Sequence, residues 1–143
     1  MSASPSVPGS FTGGCVCGAV RYECNSRPIA MLNCHCRDCQ QVSGGPFTPG
    51  VYVPAKAFRI TQGSLSYYST PSVASGHNKR GFCPTCGSRI TGAESDRGIG
   101  ITASSLDDPS WFHPKMNIWV ADAQPWVLLD PELPKFDQYF PRD

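Results

Sequence analysis

Val20, Tyr22 and Cys24 alternate with Ala19, Arg21 and Glu23, the period-2 pattern of a strand with one buried face. Short strand-like runs then recur at residues 29–32, 51–53, 58–60 and 65–68, amid Pro, Gly and Ser. Runs of this length between turn residues predict further strands. Residues 80–82 lead into Cys83-Pro-Thr-Cys86 and residues 88–91 lead out of it, which predicts a hairpin with two cysteines at its tip. Residues 99–102 and 116–120 complete the series, and the spacing predicts a single helical turn or so around residues 37–42. Residues 1–10 are rich in Ser, Pro and Gly and are expected to form a disordered tail ahead of one β domain over residues 11–143. No internal repeat and no long linker divides that domain.

Composition sharpens the pattern. The chain has 143 residues, of which 14 are Gly and 14 are Pro. Both are poor in helix interiors, so the class expected is mainly β with few or no helices. No apolar run approaches the length needed to cross a membrane as a helix, so no membrane partner is expected. The first ten residues have neither a basic nor an apolar signal region, which predicts a cytoplasmic, reducing location. Net charge is +1, which disfavours nucleic acid as a partner. The charge is uneven, however. Residues 1–93 carry eight basic and two acidic side chains, whereas residues 94–143 carry four and nine. Such a split is expected where the two halves attract or where a local site is basic, the alternative being a mixed solvated surface.

The eight cysteines point to metal rather than disulfides. Cys15 and Cys17 form a C-V-C pair; Cys34, Cys36 and Cys39 lie within C-H-C-R-D-C; Cys83 and Cys86 form C-P-T-C followed by Gly87. The glycine lets the backbone turn so that amides face the sulfurs. A structural zinc takes four protein ligands, and the two pairs supply four. Three cysteines remain, and three ligands plus an open position is the arrangement of a catalytic zinc. Counting alone leaves a second partition open, with Cys15 and Cys17 joined to two of the middle cysteines and His35 or Cys24 as a further ligand.

The runs GGCVCGAVRYEC (13–24), CHCRDCQQVSGGPF (34–47) and KRGFCPTCGSRI (79–90) together resemble the glutathione-dependent formaldehyde-activating enzyme family, which includes the centromere protein V relatives. SLDDPSWFHP (105–114), MNIWV (116–120) and PWVLLDPELPKF (125–136) extend the resemblance to about residues 11–137. It implies a small zinc-containing fold of two or three packed antiparallel sheets, the Rab-chaperone-like β-tent. It implies two zinc ions per chain, a structural one on Cys15, Cys17, Cys83 and Cys86 and a second one on Cys34, Cys36 and Cys39. The activity implied is that of a carbon–sulfur lyase, joining glutathione and formaldehyde as S-hydroxymethylglutathione. Asn117 departs from the pattern, since many relatives carry His there.

On that reading Cys34, Cys36 and Cys39 are the catalytic ligands, and the partner is a small thiol such as glutathione. A thiol bound at a zinc with an open position becomes a thiolate, the nucleophilic form. Polarisation of the aldehyde oxygen is the other role open to the metal. Seven thiolates and two zinc ions together add −3 to the formal charge of +1, and the N-terminal section stays basic. Arg37 is the candidate substrate-binding residue, with Arg21, Lys79, Arg80 and Arg89 near the other cysteine motifs. Cys24 is expected in the core, and His35 pointing away from the ligands. The competing class is a non-catalytic zinc-stabilised binding module with a protein partner. A fourth protein ligand at the second metal would favour it.

Overall fold

The computed structural model describes residues 6–72 and 76–141. Its strands are β1 (Phe11–Gly14), β2 (Arg21–Cys24), β3 (Ala30–Cys34), β4 (Thr48–Val53), β5 (Phe58–Gln62), β6 (Ser66–Ser72), β7 (Gly76–Phe82), β8 (Arg89–Ser95), β9 (Gly98–Thr102) and β10 (Asn117–Ile118). The helix α1 (Arg37–Ser43) follows β3. One sheet has the order β1-β2-β5, and the other β10-β3-β4-β9-β8-β7-β6. All pairings are antiparallel except β3 with β10, which is parallel. The expected small, mainly β fold is therefore observed.

Strand alternation builds two apolar layers. Val20, Tyr22 and Cys24 from the small sheet meet Met31, Val51, Val53, Ile90 and Ile101 from the large one. On the opposite face of the large sheet, Leu32, Tyr52 and Ile118 pack under Trp119, Phe136, Tyr139 and Phe140. Neighbouring residues of one strand thus serve different layers, as Met31 and Leu32 do, because successive side chains point to opposite faces.

Differences from the sequence pattern have local causes. β1 contains two glycines and carries no alternation to read. Gly13 is needed there because a Cβ would overlap the Tyr22 hydroxyl and the Ser105 carbonyl. The strand expected at residues 116–120 is confined to Asn117–Ile118. Trp119 turns the chain at φ 57°, and Val120–Asp122 forms a short 3-10 turn. Their amides bond to the C-terminal segment, Trp119 N–H to Gln138 O at 3.0 Å and Val120 N–H to Phe136 O at 3.1 Å. β6 extends to Ser72 through Pro71, which an edge strand tolerates. Of the expected tail at 1–10, residues 1–5 lie outside the described residues, and Val7 packs against the core.

Candidate metal centres and the cavity beside them

The turn between β1 and β2 carries Cys15 and Cys17, and the turn between β7 and β8 carries Cys83 and Cys86. Their four sulfurs converge within 4.8 Å of one another. Cys15 Sγ lies 3.6 Å from Cys17 Sγ, which lies 3.8 Å from Cys83 Sγ. Four thiolates around a tetrahedral zinc at about 2.3 Å stand about 3.8 Å apart, so this donor set fits that ion. Backbone amides already face the sulfurs, with Val20 N–H on Cys15 Sγ at 3.2 Å and Thr85 N–H on Cys83 Sγ at 3.4 Å. Gly87 adopts φ 79°, and its N–H closes the knuckle onto Cys83 O at 2.8 Å. The Ser88 hydroxyl and amide hold Cys86 down to about 5.

Cys34 ends β3, Cys36 caps α1, and Cys39 sits in its first turn. The Cys39 N–H donates to Cys36 Sγ at 3.3 Å, so the helix cap itself holds the Cys36 sulfur against the turn that carries Cys39. Gly44 stops the helix in the left-handed conformation at φ 72°. The three sulfurs also lie within 4.8 Å of one another. Among the described residues, no fourth Cys, His, Asp or Glu joins them. Hydrogen bonds from Cys34 and Cys36 push Cys39 down to about 3, and the Arg80 charge adds to the effect. Cys34 is pushed up by the same pairings.

A polar frame fixes this turn. Gln40 is buried, and its amide donates to His35 O at 2.6 Å and to Asp122 O at 3.0 Å. Its Oε1 accepts from Arg37 Nη1 at 2.6 Å and from Gln124 Nε2 at 3.0 Å. His35 is fully buried and bonds Asn117 rather than a cysteine cluster. The Asn117 bond to His35 and the Gln40 bond to Asp122 each span 82 residues, so the sequence gave no signal for these contacts.

A cavity of about 910 Å³ opens beside the three-thiol group. Cys34, Cys36, Cys39 and Arg37 line it, with Tyr52 and Tyr139 among the aromatic residues of its wall. Burial first, and the nearby sulfurs next, hold both phenols above their usual range, so both stay protonated at neutral pH. Arg80 and Arg89 line the same cavity. Arg21 does too, but it is paired with Asp107, Nη1 to Oδ1 at 2.9 Å. Lys79 instead lies over the Tyr67 ring, 4.2 Å from its centroid. Cys24 is buried in the core and joins neither cluster. Tyr139 was not legible from sequence, since it reaches the site from the C-terminal segment.

The family model described as glutathione-dependent formaldehyde-activating enzyme matches residues 10–122, most of the chain. The chain belongs to this family. All seven clustered cysteines of this formaldehyde-activating family member fall inside the matched span. The segment carrying Tyr139 lies beyond it. A solved structure of a Rhodobacter sphaeroides protein is similar at 21% identity and a TM-score of 0.55, covering 68% of this chain and 88% of that one. At that identity the likeness concerns the fold. No helix among the described residues is long and apolar enough to cross a membrane.

Proposed function

We propose that this chain is a zinc-dependent carbon–sulfur lyase-type enzyme acting on a thiol–aldehyde adduct such as S-hydroxymethylglutathione. The observation that carries the reading is a three-thiol group, without a fourth protein donor among the described residues, set in the wall of a cavity. Cys15, Cys17, Cys83 and Cys86 would hold a structural ion, and Cys34, Cys36 and Cys39 a catalytic one. Bound there, zinc would supply a Lewis acid with high affinity for thiolate sulfur. A wholly structural second metal would call for a fourth donor, which weighs against the binding-module alternative.

The chain's own residues then have distinct tasks. In the direction of addition, the substrate sulfur forms a bond to the aldehyde carbon. The carbonyl π pair moves to oxygen, which takes up the proton released from the thiol; cleavage reverses each movement. Tyr52 and Tyr139 line the cavity, and as protonated phenols they would suit the oxygen on which charge develops. Arg37 contributes positive charge from the first turn of α1 and is assigned to substrate binding, its guanidinium oriented by Gln40. A cytoplasmic, reducing setting suits this assignment, because all seven clustered sulfurs must remain thiols to ligate metal.

The direct test is metal analysis followed by exchange measurement. Fully loaded protein should hold close to two zinc ions per chain. NMR exchange between glutathione, formaldehyde and their adduct should accelerate with the loaded protein and return to the uncatalysed rate with Cys36→Ser. Two zinc ions without acceleration for glutathione or other small thiols would overturn the lyase reading.

A further inference from the structure

Arg80 and Arg89 differ from three other arginines of this chain. Arg21 is paired with Asp107, Arg59 with Glu23, and Arg37 is bonded to Gln40. Arg80 is buried, its side chain only 6% exposed, yet its nearest carboxylate is Asp38 at 4.0 Å, at the limit of an ion pair. Its hydrogen bond goes to a neutral group, the Thr70 hydroxyl at 2.5 Å. Arg89 stacks over Phe82 at 5.1 Å, and its Nη1 is completely buried with no hydrogen-bond partner. Burial first, and the neighbouring Arg80 charge second, lower its pKa. Arg80, buried, and Arg89, half-buried, therefore lie close together, with Asp38 and the Cys39 sulfur as the acidic groups near Arg80. Such a pair is costly to keep unless an anion completes it.

The fold places this pair deliberately close to the sulfurs. The Cys83–Cys86 knuckle closes the β7–β8 hairpin, with Arg80 three residues before it and Arg89 three residues after it. The register shifts between Gly81 and Phe82, a bulge of the kind that re-aims side chains near sites. Asp38 precedes Cys39, so the approach of Arg80 to Asp38 sets its guanidinium beside the first turn of α1. Asn78, on the same face of β7 as Arg80, also lines the cavity, and its Oδ1 is buried without a donor. A site with one unpartnered guanidinium nitrogen, a second buried guanidinium beside it and one unfilled acceptor matches a carboxylate with an adjacent N–H.

We propose that Arg80 and Arg89 form a carboxylate-binding subsite that anchors an anionic thiol while its sulfur reaches Cys34, Cys36 and Cys39, with Asn78 accepting an N–H of the same molecule. The sulfur placement rests on the lyase reading above; the carboxylate contact does not. Arg89 is then a specificity-determining residue, favouring thiols that carry a carboxylate over neutral ones.

Calorimetry on the zinc-loaded protein tests this with four probes: glutathione, its diethyl ester, S-methylglutathione and 2-mercaptoethanol. On the wild-type protein the ester, which keeps the thiol and loses both carboxylates, should bind at least tenfold more weakly than glutathione. Arg89→Gln should weaken glutathione and S-methylglutathione at least tenfold and leave 2-mercaptoethanol within twofold. Arg89→Lys, which keeps the charge and loses the fork, should fall between. Equal binding of glutathione and its ester, or equal losses for glutathione and 2-mercaptoethanol in folded Arg89→Gln, would overturn the subsite. Arg89-dependent binding of S-methylglutathione with no thiol acting at the metal would sustain the subsite and defeat the lyase reading. The reverse pattern, metal ligation indifferent to Arg89, would do the opposite.

Discussion

His35 Nε2 lies 2.8 Å from Asn117 Oδ1, a hydrogen bond between two buried side chains 82 residues apart. With Asn117 as acceptor, Nε2 carries the proton. The bond ties the cysteine-bearing turn after β3 to the parallel strand β10, beside the backbone bond from His35 N–H to Ile118 O at 3.0 Å. His35 is thus a fixed strut of the turn, consistent with its expected orientation away from the sulfurs.

Asn117→Ala should accordingly destabilise the fold by about 1–3 kcal/mol, the cost of leaving a buried donor unpaired. Thermal melts at matched zinc content measure it. Wild-type stability in this variant would mean that the His35 bond adds nothing.

Cys83→Ser should damage folding more than Cys36→Ser. The first change opens a four-thiol group that joins turns 66 residues apart, whereas the second alters a group confined to one local turn. Metal-binding free energy is folding free energy where the site clips distant segments. Melts of both variants, with and without a chelator, provide the comparison. Equal losses would erase the distinction between the two centres.

The Arg21–Asp107 pair sets an acid-side dependence. Hydrogen bonds from Arg21 and then Thr12 hold the Asp107 carboxyl below its usual range. Because its folded pKa is depressed, its contribution is present above the ordinary carboxylate pKa and is lost as pH falls through the folded value. The pair is largely exposed, so Asp107→Asn should cost at most about 1 kcal/mol at pH 7. The difference from wild type should close on acidification below the ordinary carboxylate range. Paired melts across that range check the sign, and a gap that widened in acid would refute it.

Gly13→Ala should be poorly tolerated, because the new methyl would meet the Tyr22 hydroxyl and the Ser105 carbonyl, neither at the free end of a flexible chain. Overpacking of this kind costs about 1–3 kcal/mol. The Tyr22–Ser105 hydrogen bond at 2.7 Å would have to shift, and denaturant unfolding reads the loss. Gly9→Ala, where a Cβ meets nothing within 4 Å, is the control.

Much of this protein is written locally. The alternation at Val20, Tyr22 and Cys24 specifies a strand because side-chain direction reverses at each residue. The spacings within C-V-C, C-H-C-R-D-C and C-P-T-C-G specify chelating turns because a few residues suffice to bring two sulfurs together. The meeting of Cys15 and Cys17 with Cys83 and Cys86 needed more: ligand counting left two partitions open, and the resemblance favoured the one observed. Other features depend on contacts between segments far apart in sequence, for which no local pattern exists. Gly13 is required by Tyr22 and Ser105. Trp119 leaves the strand conformation because the C-terminal segment takes its amide. Tyr139 reaches the cavity only through that segment, and the burial of Arg80 and of Arg89 Nη1 is set by contacts between strands rather than by residue type. Charge and residue type are local properties, but desolvation is not, and desolvation is what sets a hairpin arginine such as Arg80 apart from an exposed one.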